Sequence, residues 1–297
     1  MLKSATKTEN NPLRPGLDEY IKNGFVSVDS GVAGPVSVTQ EYNIADFAIA
    51  QLAKELGKEE GYQKFLKRSV SYRELYNPES QFLQPKHENG RWMEGFDPLA
   101  GANFSKNPGF IEGNAWQYLF MLSHDAEGLI KLMGGEKAYE EKLDAVFEKG
   151  HFDMANEPDF AYPYLYNFIP GSENKASKQV NKLLNKYYKN SPDGLPGNDD
   201  TGTMSAWAVY SMMGFYPIIP AKSVYTITTP VFEQIKIKLN PDFYGKDSLI
   251  IRKKEINNQK NKVYPLMRNN QVFPNFFISH EDLVNSKELI FLTPEKE

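Results

Sequence analysis

The sequence contains no cysteine among its 297 residues. Disulfide bonds, thiol catalysis and thiolate zinc sites are therefore excluded, although the compartment stays open because many exported proteins also lack cysteine. Long apolar runs are missing too. Residues 1–11 have no apolar segment typical of a signal peptide, and no later stretch reaches the ~18 apolar residues of a membrane span. As written, the chain is expected to carry neither an export signal nor a membrane anchor.

A strong charge of either sign is also absent. Lys and Arg number 34 against 38 Asp and Glu, which gives a formal net charge of −4. No basic field is available for nucleic acid or for an anionic membrane surface, so neither is expected as a partner. Aromatic residues make up 13% of the chain. They suit sugar recognition, because aromatic rings pack on the apolar faces of sugars, but they also fill ordinary cores.

The hydrophobic pattern changes once along the chain. Residues 1–35 hold several Pro and Gly and are predicted to form an irregular lead-in with one short helical turn. Helical periodicity follows, and the stretch from Ser223 to Leu239 then alternates β-branched and polar residues, which indicates strands. Helices are predicted at 37–56, 59–76, 114–122, 124–133, 136–149, 174–189 and 203–214, and further strands at 248–251, 263–267, 276–280 and 289–292.

These elements predict a chain that is mainly α with a C-terminal β segment. A helical block over residues 1–218 is expected to precede a β block over residues 219–297. A chain of this length can bury one large core or two modest ones, which places it in the ordinary globular class.

Most catalytic signatures are missing. The sequence has no Gly-x-Ser-x-Gly, no His-Glu-x-x-His, no dinucleotide fingerprint and no phosphate loop, and its 4 histidines lack metal-ligand spacing. Carboxylates among aromatic and amide residues remain, in the segments 110–118, 156–167 and 197–207, each at a predicted loop-to-helix junction. Such junctions can converge at one end of a helical barrel, which is what two-carboxylate glycoside chemistry needs.

Two of these carboxylates are candidates for acid–base catalysis. Glu112 has Trp116 and Tyr118 close by in sequence, and a desolvating aromatic wall would favour the protonated form that a general acid needs. The following helix opposes this, because its dipole favours the ionised form. Asp200 precedes a predicted helix that begins near Thr203, and there the same dipole suits a general base.

Each feature also has an ordinary structural interpretation. An acidic residue ahead of a helix is commonly an N-cap. Residues 198–202 could form a turn or a partial calcium loop, although the bidentate Glu of an EF-hand is missing at the required spacing. Trp and Tyr at helical spacing are common in cores. Spacing alone therefore leaves both catalysis and helix capping open.

At the three segments the sequence resembles glycoside hydrolase family 92, the calcium-dependent exo-acting α-mannosidases. The segments similar to that family's hallmarks occur in the same order: EGNAWQY at 112–118, NEP at 156–158 with PYLYN at 163–167, and GNDDTGTMSAWAVYSMMGFYPIIP at 197–220. The resemblance covers nearly the whole chain. It implies a partial (α/α)₆ toroid as the catalytic domain, followed by a β-sandwich-like segment.

The resemblance also implies roles for individual residues. Glu112 matches the general acid and Asp200 the general base of a hydrolysis that inverts the anomeric carbon. Calcium (Ca²⁺) is the implied cofactor, with its ligands unassigned, and mannose-containing glycans are the implied substrates. The residues expected to bind the substrate are Trp116, Gln117, Asn156, Glu157, Asn198 and Asp199.

Two departures from the family pattern bear on these expectations. Phe160 and Ala161 stand where many relatives carry a His pair, so the preferred linkage or aglycone is expected to differ from the α-1,2 linkage common in the family. Family members are usually more than twice as long, which predicts a truncated chain that lacks an N-terminal β-sandwich portion.

The expected location follows from the resemblance, because relatives are commonly exported to the periplasm or outside the cell. Two alternatives to an active α-mannosidase stay open at this point. One is a noncatalytic, carbohydrate-associated remnant of such an enzyme, and the other is a related toroid glycosidase that acts on another sugar.

Overall fold

The structure is a computed structural model that describes residues 1–101, 109–256 and 266–294. The chain divides into two compact units, Met1–Asp159 and Phe160–Glu297. The prediction of a mainly α chain with a C-terminal β region is confirmed. Within the described ranges, no helix is both long enough and apolar enough to cross a membrane.

The first unit is built mainly from helices. Its longest helix, α3 (Pro35–Glu55), packs against α4 (Glu59–Arg68), and Ile49 and Phe65 share one buried apolar cluster. Pro35 suits the first turn of α3, where its missing N–H would have no partner in any case. The other elements are α1 (Leu2–Thr6), α2 (Leu17–Asn23), β1 (Tyr76–Asn77), β2 (Phe82–Leu83), α5 (Ala115–Tyr118), α6 (Ala126–Leu132), α7 (Glu136–Glu148) and the 3₁₀ turns Val28–Ser30, Ser71–Leu75, Ser123–Asp125 and Glu157–Asp159.

A buried charged network ties the helices of this unit together. Asp46 in α3 has no exposed surface, and its two carboxylate oxygens accept hydrogen bonds from Arg14 and Arg68, each at 2.7 Å. The hydroxyl of Tyr20 in α2 donates to the same carboxylate at 3.1 Å. These three donors compensate for the loss of water around the charge. The network therefore joins α2, α3 and α4 through one side chain.

The second unit combines helices with two β-sheets. Its elements are the 3₁₀ turn Tyr162–Phe168, α8 (Glu173–Tyr187), α9 (Thr203–Met213), β3 (Phe215–Tyr216), β4 (Val224–Ile227), β5 (Gln234–Lys238), α10 (Pro241–Tyr244), β6 (Ser248–Ile256), β7 (Leu266–Arg268), β8 (Gln271–Phe273), β9 (Phe277–Ser279), α11 (His280–Asn285) and β10 (Glu288–Pro294). One sheet has the strand order β5-β6-β10-β7-β8, with β10 parallel to β6 and the other pairs antiparallel. The other sheet is antiparallel, with the order β3-β4-β9.

The five-stranded sheet places its apolar residues on one face. Leu249 and Ile251 of β6 are buried, as are Leu289 and Phe291 of β10, and Leu289 pairs with Ile251 across the parallel ladder. Side chains two residues apart point to the same face of a strand. This is the alternation from which the sequence predicts strands in this region.

One predicted helix is interrupted. The periodicity predicts a helix over 59–76, but α4 ends at Arg68 and Ser71–Leu75 forms a 3₁₀ turn. The backbone N–H of Tyr72 donates to the side-chain oxygen of Asn43 in α3 at 2.9 Å. A helical carbonyl would otherwise take this hydrogen bond, so a contact between distant segments ends the α-helical ladder.

A second predicted helix, over 114–122, is reduced to α5. The carbonyl of Tyr118, the last residue of α5, accepts a hydrogen bond from the Gln40 side chain at 2.7 Å. The lead-in over 1–35 contains the two helices α1 and α2, where one short turn is predicted. The predicted strand 263–267 lies partly outside the described residues, and β7 begins at Leu266. The domain boundary between residues 218 and 219 stays a prediction.

Candidate active site

Glu112 lies exposed on a loop of the first unit with its backbone in the left-handed region, at φ 51°. A residue with a Cβ atom is strained in this region, at a cost of about 1–3 kcal/mol, and such strain is concentrated at functional sites. Since Glu112 is neither Gly nor Asn, its neighbours must hold the loop in this conformation.

The N-terminal end of α3 supplies part of that support. The backbone N–H groups of Val36 and Ser37 donate to the carbonyl of Gly109 at 2.9 and 3.3 Å. The hydroxyl oxygen of Ser37 accepts from the N–H of Ile111 at 3.0 Å. The first helical turn has N–H groups without partners inside the helix, and the loop uses two of them.

Two side chains donate hydrogen bonds to successive backbone carbonyls, those of Ile111 and Glu112. The Tyr118 hydroxyl donates to the carbonyl of Ile111 at 2.7 Å, and the Asn156 amide donates to the carbonyl of Glu112 itself at 3.0 Å. Burial raises the pKa of Tyr118, with smaller contributions from nearby carboxylates that include Glu112, so the hydroxyl keeps its proton for this bond. The backbone of Glu112 is therefore held both at the preceding carbonyl and at its own carbonyl.

The N-cap of the following helix is Asn114. Its side-chain oxygen accepts from the N–H groups of Trp116 and Gln117, and the Gln117 side chain accepts in return from the N–H of Asn114, which completes a capping box. Capping therefore does not account for the carboxylate of Glu112.

Trp116 and Gln117, both predicted to bind substrate, are buried. The Trp116 ring stacks on His151 and makes an edge contact with Phe82, while Glu112 is exposed. The predicted aromatic wall is therefore packed into the protein interior. In the described structure Gln117 takes part in the capping box and Trp116 packs on His151 and Phe82, and the role of both toward a substrate stays a prediction.

Gly34, which precedes α3, leaves room for this loop. Its φ is 59°, and a Cβ atom built there would lie 2.5 Å from Cγ1 of Ile111. We expect Gly34→Ala to lower the free energy of unfolding by about 3 kcal/mol, from ~1 of backbone strain and ~2 of overpacking. Urea denaturation measures this change.

Gly31→Ala is the matched control for this prediction. Gly31 has φ 74°, but a Cβ atom there would meet nothing within 4 Å. We expect it to cost only the strain of about 1 kcal/mol. Equal losses in the two variants would contradict the close packing of Gly34 on the Glu112 loop.

Asp200 lies in a second strained loop, which belongs to the second unit. Asp200, Thr201 and Gly202 have φ values of 34°, 59° and 84°, so three successive residues are left-handed. The N–H of Thr203 donates back to the carbonyls of Asp199 and Asp200, at 2.7 and 3.2 Å, as α9 begins. Asp200 is exposed, and Gly202 occupies the N-cap position of α9 without a side-chain cap.

The side chain that caps the first turn of α9 is that of Asp199, not that of Asp200. Its carboxylate accepts from the N–H of Ser205 at 2.8 Å and from the Ser205 hydroxyl at 2.6 Å. These bonds, led by that of the hydroxyl, hold the pKa of Asp199 below its ordinary value. The capping interpretation thus applies to Asp199, and Asp200 is left exposed on the strained turn.

The remaining predicted site residues divide into two groups. Asn156 contacts the Glu112 loop directly, whereas Glu157 and Asn198 are exposed.

Sequence reasoning missed Ser37 and Tyr118 as supports of the Glu112 loop, and it missed the buried carboxyl of Asp159. An acidic residue directly ahead of the aromatic run 160–168 was the available signal for Asp159.

Glu112 belongs to the first unit and Asp200 to the second, and their pairing stays a prediction. Metal ions in proteins are commonly held by acidic and histidine side chains. Within the parts of the chain that the structure describes, these side chains form no group of three or more that could hold a metal ion. A calcium site built from carboxylates alone does not fit these residues.

The chain is mainly helical, and its two candidate carboxylates are exposed, each on a strained loop ahead of a helix. Residues 1–293 match the model of the glycosyl hydrolase family 92 catalytic domain, and the chain therefore belongs to glycosyl hydrolase family 92. An uncharacterized secreted glycosidase of Arthroderma benhamiae is 30% identical over 223 residues, which are 68% of this chain and 28% of that protein.

Solved structures of the same family are similar over almost the entire chain. The GH92 α-mannosidase BT3965 of Bacteroides thetaiotaomicron matches with a TM-score of 0.85 and 31% identity, over 97% of this chain and 38% of that one. The GH92 inverting mannosidase BT2199 of the same organism matches with a TM-score of 0.84 and 27% identity, over 98% of this chain and 41% of that one. The chain thus spans about two fifths of the length of these relatives.

Proposed function

We propose that this chain carries the general acid and general base of an inverting exo-α-mannosidase. Family membership and the similarity to solved α-mannosidases support the reaction class. One structural observation carries the residue assignment: Glu112 and Asp200 are exposed and strained, while Asn114 and Asp199 serve the adjacent helices. Carboxylates that cap nothing and are held in an unfavourable backbone conformation are free to act on a ligand.

The proposed reaction moves two protons. Glu112, in its protonated form, gives its proton to the glycosidic oxygen as the bond from this oxygen to the anomeric carbon breaks. Asp200 takes a proton from a water molecule, whose oxygen attacks the opposite face of the anomeric carbon and forms the new C–O bond. The product is β-mannose, and an inverting pair leaves about 6.5–9.5 Å between its carboxyl groups for that water.

Several finer features belong to the same proposal. A partial (α/α)₆ toroid with a β-sandwich-like segment is the architecture we infer for the chain, and mannose-containing glycans are the inferred substrates. A relative described as a secreted glycosidase supports export to the periplasm or outside the cell. Trp116, Gln117, Asn156, Glu157, Asn198 and Asp199 are proposed to line or support the sugar site.

That the chain binds Ca²⁺ is proposed from its family alone. Because the described acidic side chains do not form a carboxylate-built site, backbone and amide oxygens would have to contribute, and we assign no catalytic step to the ion. Calorimetric titration of Ca²⁺ into chain pretreated with a chelator tests whether the chain binds it.

Hydrolysis of an aryl α-mannoside by the purified chain tests the proposed activity. A cooperative thermal melt establishes that the sample is folded, and proton NMR is expected to show β-mannose as the first product. Mannoimidazole, which one solved GH92 α-mannosidase binds, is the ligand for a parallel calorimetric experiment.

The two measurements together separate the open alternatives. Mannoimidazole binding without mannose release would contradict catalysis and support a noncatalytic carbohydrate-associated protein. First release of α-mannose would contradict inversion. A folded chain that neither binds nor hydrolyses would contradict both functions.

A further inference from the structure

Asp159, at the end of the 3₁₀ turn Glu157–Asp159, carries a buried carboxyl group. Its exposed fraction is 0%. One oxygen, Oδ2, accepts a hydrogen bond from the backbone N–H of Asp153 at 2.7 Å, whereas Oδ1 has no partner among the described residues. Burial raises its pKa well above the ordinary value, partly offset by the Asp153 hydrogen bond. A buried oxygen without a partner is costly and calls for an explanation.

The bond from Asp153 to Asp159 closes a turn. Within it, the N–H of Asn156 donates to the carbonyl of Asp153 and the N–H of Asp159 donates to the carbonyl of Asn156, both at 3.2 Å. The N–H of Ala155 donates to the Asp153 side chain at 2.9 Å. Asn156 is therefore the central residue of a turn whose two ends are joined by the Asp159 carboxyl.

Asn156 connects this turn to Glu112. Its side-chain amide donates to the Glu112 carbonyl at 3.0 Å, and the same nitrogen lies 3.3 Å from the position of a Cβ atom built on Gly113. The amide thus bonds to Glu112 and occupies the space that a side chain at residue 113 would need. A displacement of Asn156 would be transmitted to the strained backbone of Glu112.

We propose that Asp159 is a positioning residue for Glu112: by bonding the Asp153 N–H it fixes Asn156, which in turn fixes the Glu112 carbonyl. The inference rests on the proposed role of Glu112 as general acid. Asp159 itself contacts neither the substrate nor the reacting atoms. It acts across a sequence separation of 47 residues by way of one amide side chain.

The test compares Asp159→Ala with Asp159→Asn. Asn keeps an oxygen that can accept from Asp153, whereas Ala keeps none. We expect Asp159→Ala to lower kcat for hydrolysis of a mannose disaccharide, whose leaving group needs the proton of the general acid, about 10- to 100-fold with KM changed less than about 2-fold, because a misplaced group costs rate more than binding. Asp159→Asn is expected to retain at least about half of wild-type kcat and an unchanged melting temperature.

A double-mutant cycle tests the route. In an Asn156→Ala background, Asp159→Ala is expected to have no further effect, because the link to Glu112 is already broken. Full additivity of the two losses would overturn the proposal. So would an Asp159→Asn variant as defective as Asp159→Ala.

NMR distinguishes failure of this inference from failure of the proposed function. Asp159→Ala is expected to speed amide hydrogen exchange at Asp153 about 10-fold or more and to shift the amide resonances of Glu112 and Gly113, whether or not the chain hydrolyses mannosides. Unchanged Glu112 and Gly113 resonances would overturn the inference. If Asp159→Ala does not fold, Asp159→Ser carries the same test, because its hydroxyl is too short to reach the Asp153 amide.

Discussion

Glu112→Gln and Asp200→Asn are each expected to lower kcat for α-mannoside hydrolysis by about 10²- to 10⁴-fold, the range that general acid–base groups contribute. Each change keeps the shape of the side chain and removes its ability to transfer a proton. Both residues are exposed, so the melting temperature is expected to stay within the error of the measurement. Steady-state kinetics on purified variants measures the effect.

The choice of leaving group separates the two roles. In an aryl mannoside with an acidic phenol, the phenolate departs without needing a proton. Glu112→Gln should therefore lower kcat much less on this substrate than on a mannose disaccharide. Asp200→Asn removes the activation of water and should cost nearly the same on both substrates. The reverse pattern would exchange the roles of the two residues.

Glu136→Gln and Asp242→Asn are the matched controls. Both residues are exposed acids in the first turn of a helix, in α7 and α10. They share the helix-dipole environment with the candidate residues, and no chemistry is predicted for them. A loss of kcat in the controls as large as in Glu112→Gln would indicate a general electrostatic effect and contradict the assignment.

The largest expected effect on stability comes from Asp46→Ala, which should lower the free energy of unfolding by about 3–5 kcal/mol. The change leaves the guanidinium groups of Arg14 and Arg68 without their carboxylate, at side-chain exposures of 8% and 13%. Unpaired charge in so dry an environment is strongly unfavourable. Urea denaturation measures the loss.

Glu88→Ala is the control for this experiment. Glu88 pairs with Lys22 at 3.0 Å, but the two side chains are 50% and 69% exposed. An ion pair in water contributes about 0–1 kcal/mol. A loss for Asp46→Ala no larger than that for Glu88→Ala would mean that the buried network does not stabilise the first unit.

The elements that the sequence predicts well are those whose packing follows their own periodicity. Helices α3 and α7 to α9 lie within two residues of their predicted bounds, because a local apolar pattern is enough to reveal them. Strand β6 begins where predicted but continues beyond residue 251 to Ile256, through residues without an apolar face. The interruption at residues 69–70 and the early end of α5 depend on Asn43 and Gln40, which lie far away in sequence. Local patterns do not contain such contacts.

The candidate site divides in the same way. The motifs identify Glu112 and Asp200 because short segments carry them. Two supports of the Glu112 loop lie far away in sequence, since Ser37 is 74 positions from Ile111 and Asn156 is 44 positions from Glu112. They meet the loop only in the folded chain. A positive φ at Glu112 is likewise absent from the sequence signal, because the left-handed region favours Gly and, less often, Asn or Asp.

The left-handed backbone at Glu112 and Asp200 has a consequence for engineering. Glycine adopts such φ values without strain, so Glu112→Gly would relieve about 1–2 kcal/mol in the folded state and Asp200→Gly less, because Asp tolerates this region better. A library screened for thermal tolerance alone would thus be drawn toward glycine at the two positions that the proposed chemistry needs most. Stability and turnover are opposed there, and a redesign of this chain that is selected by melting temperature should keep both positions fixed.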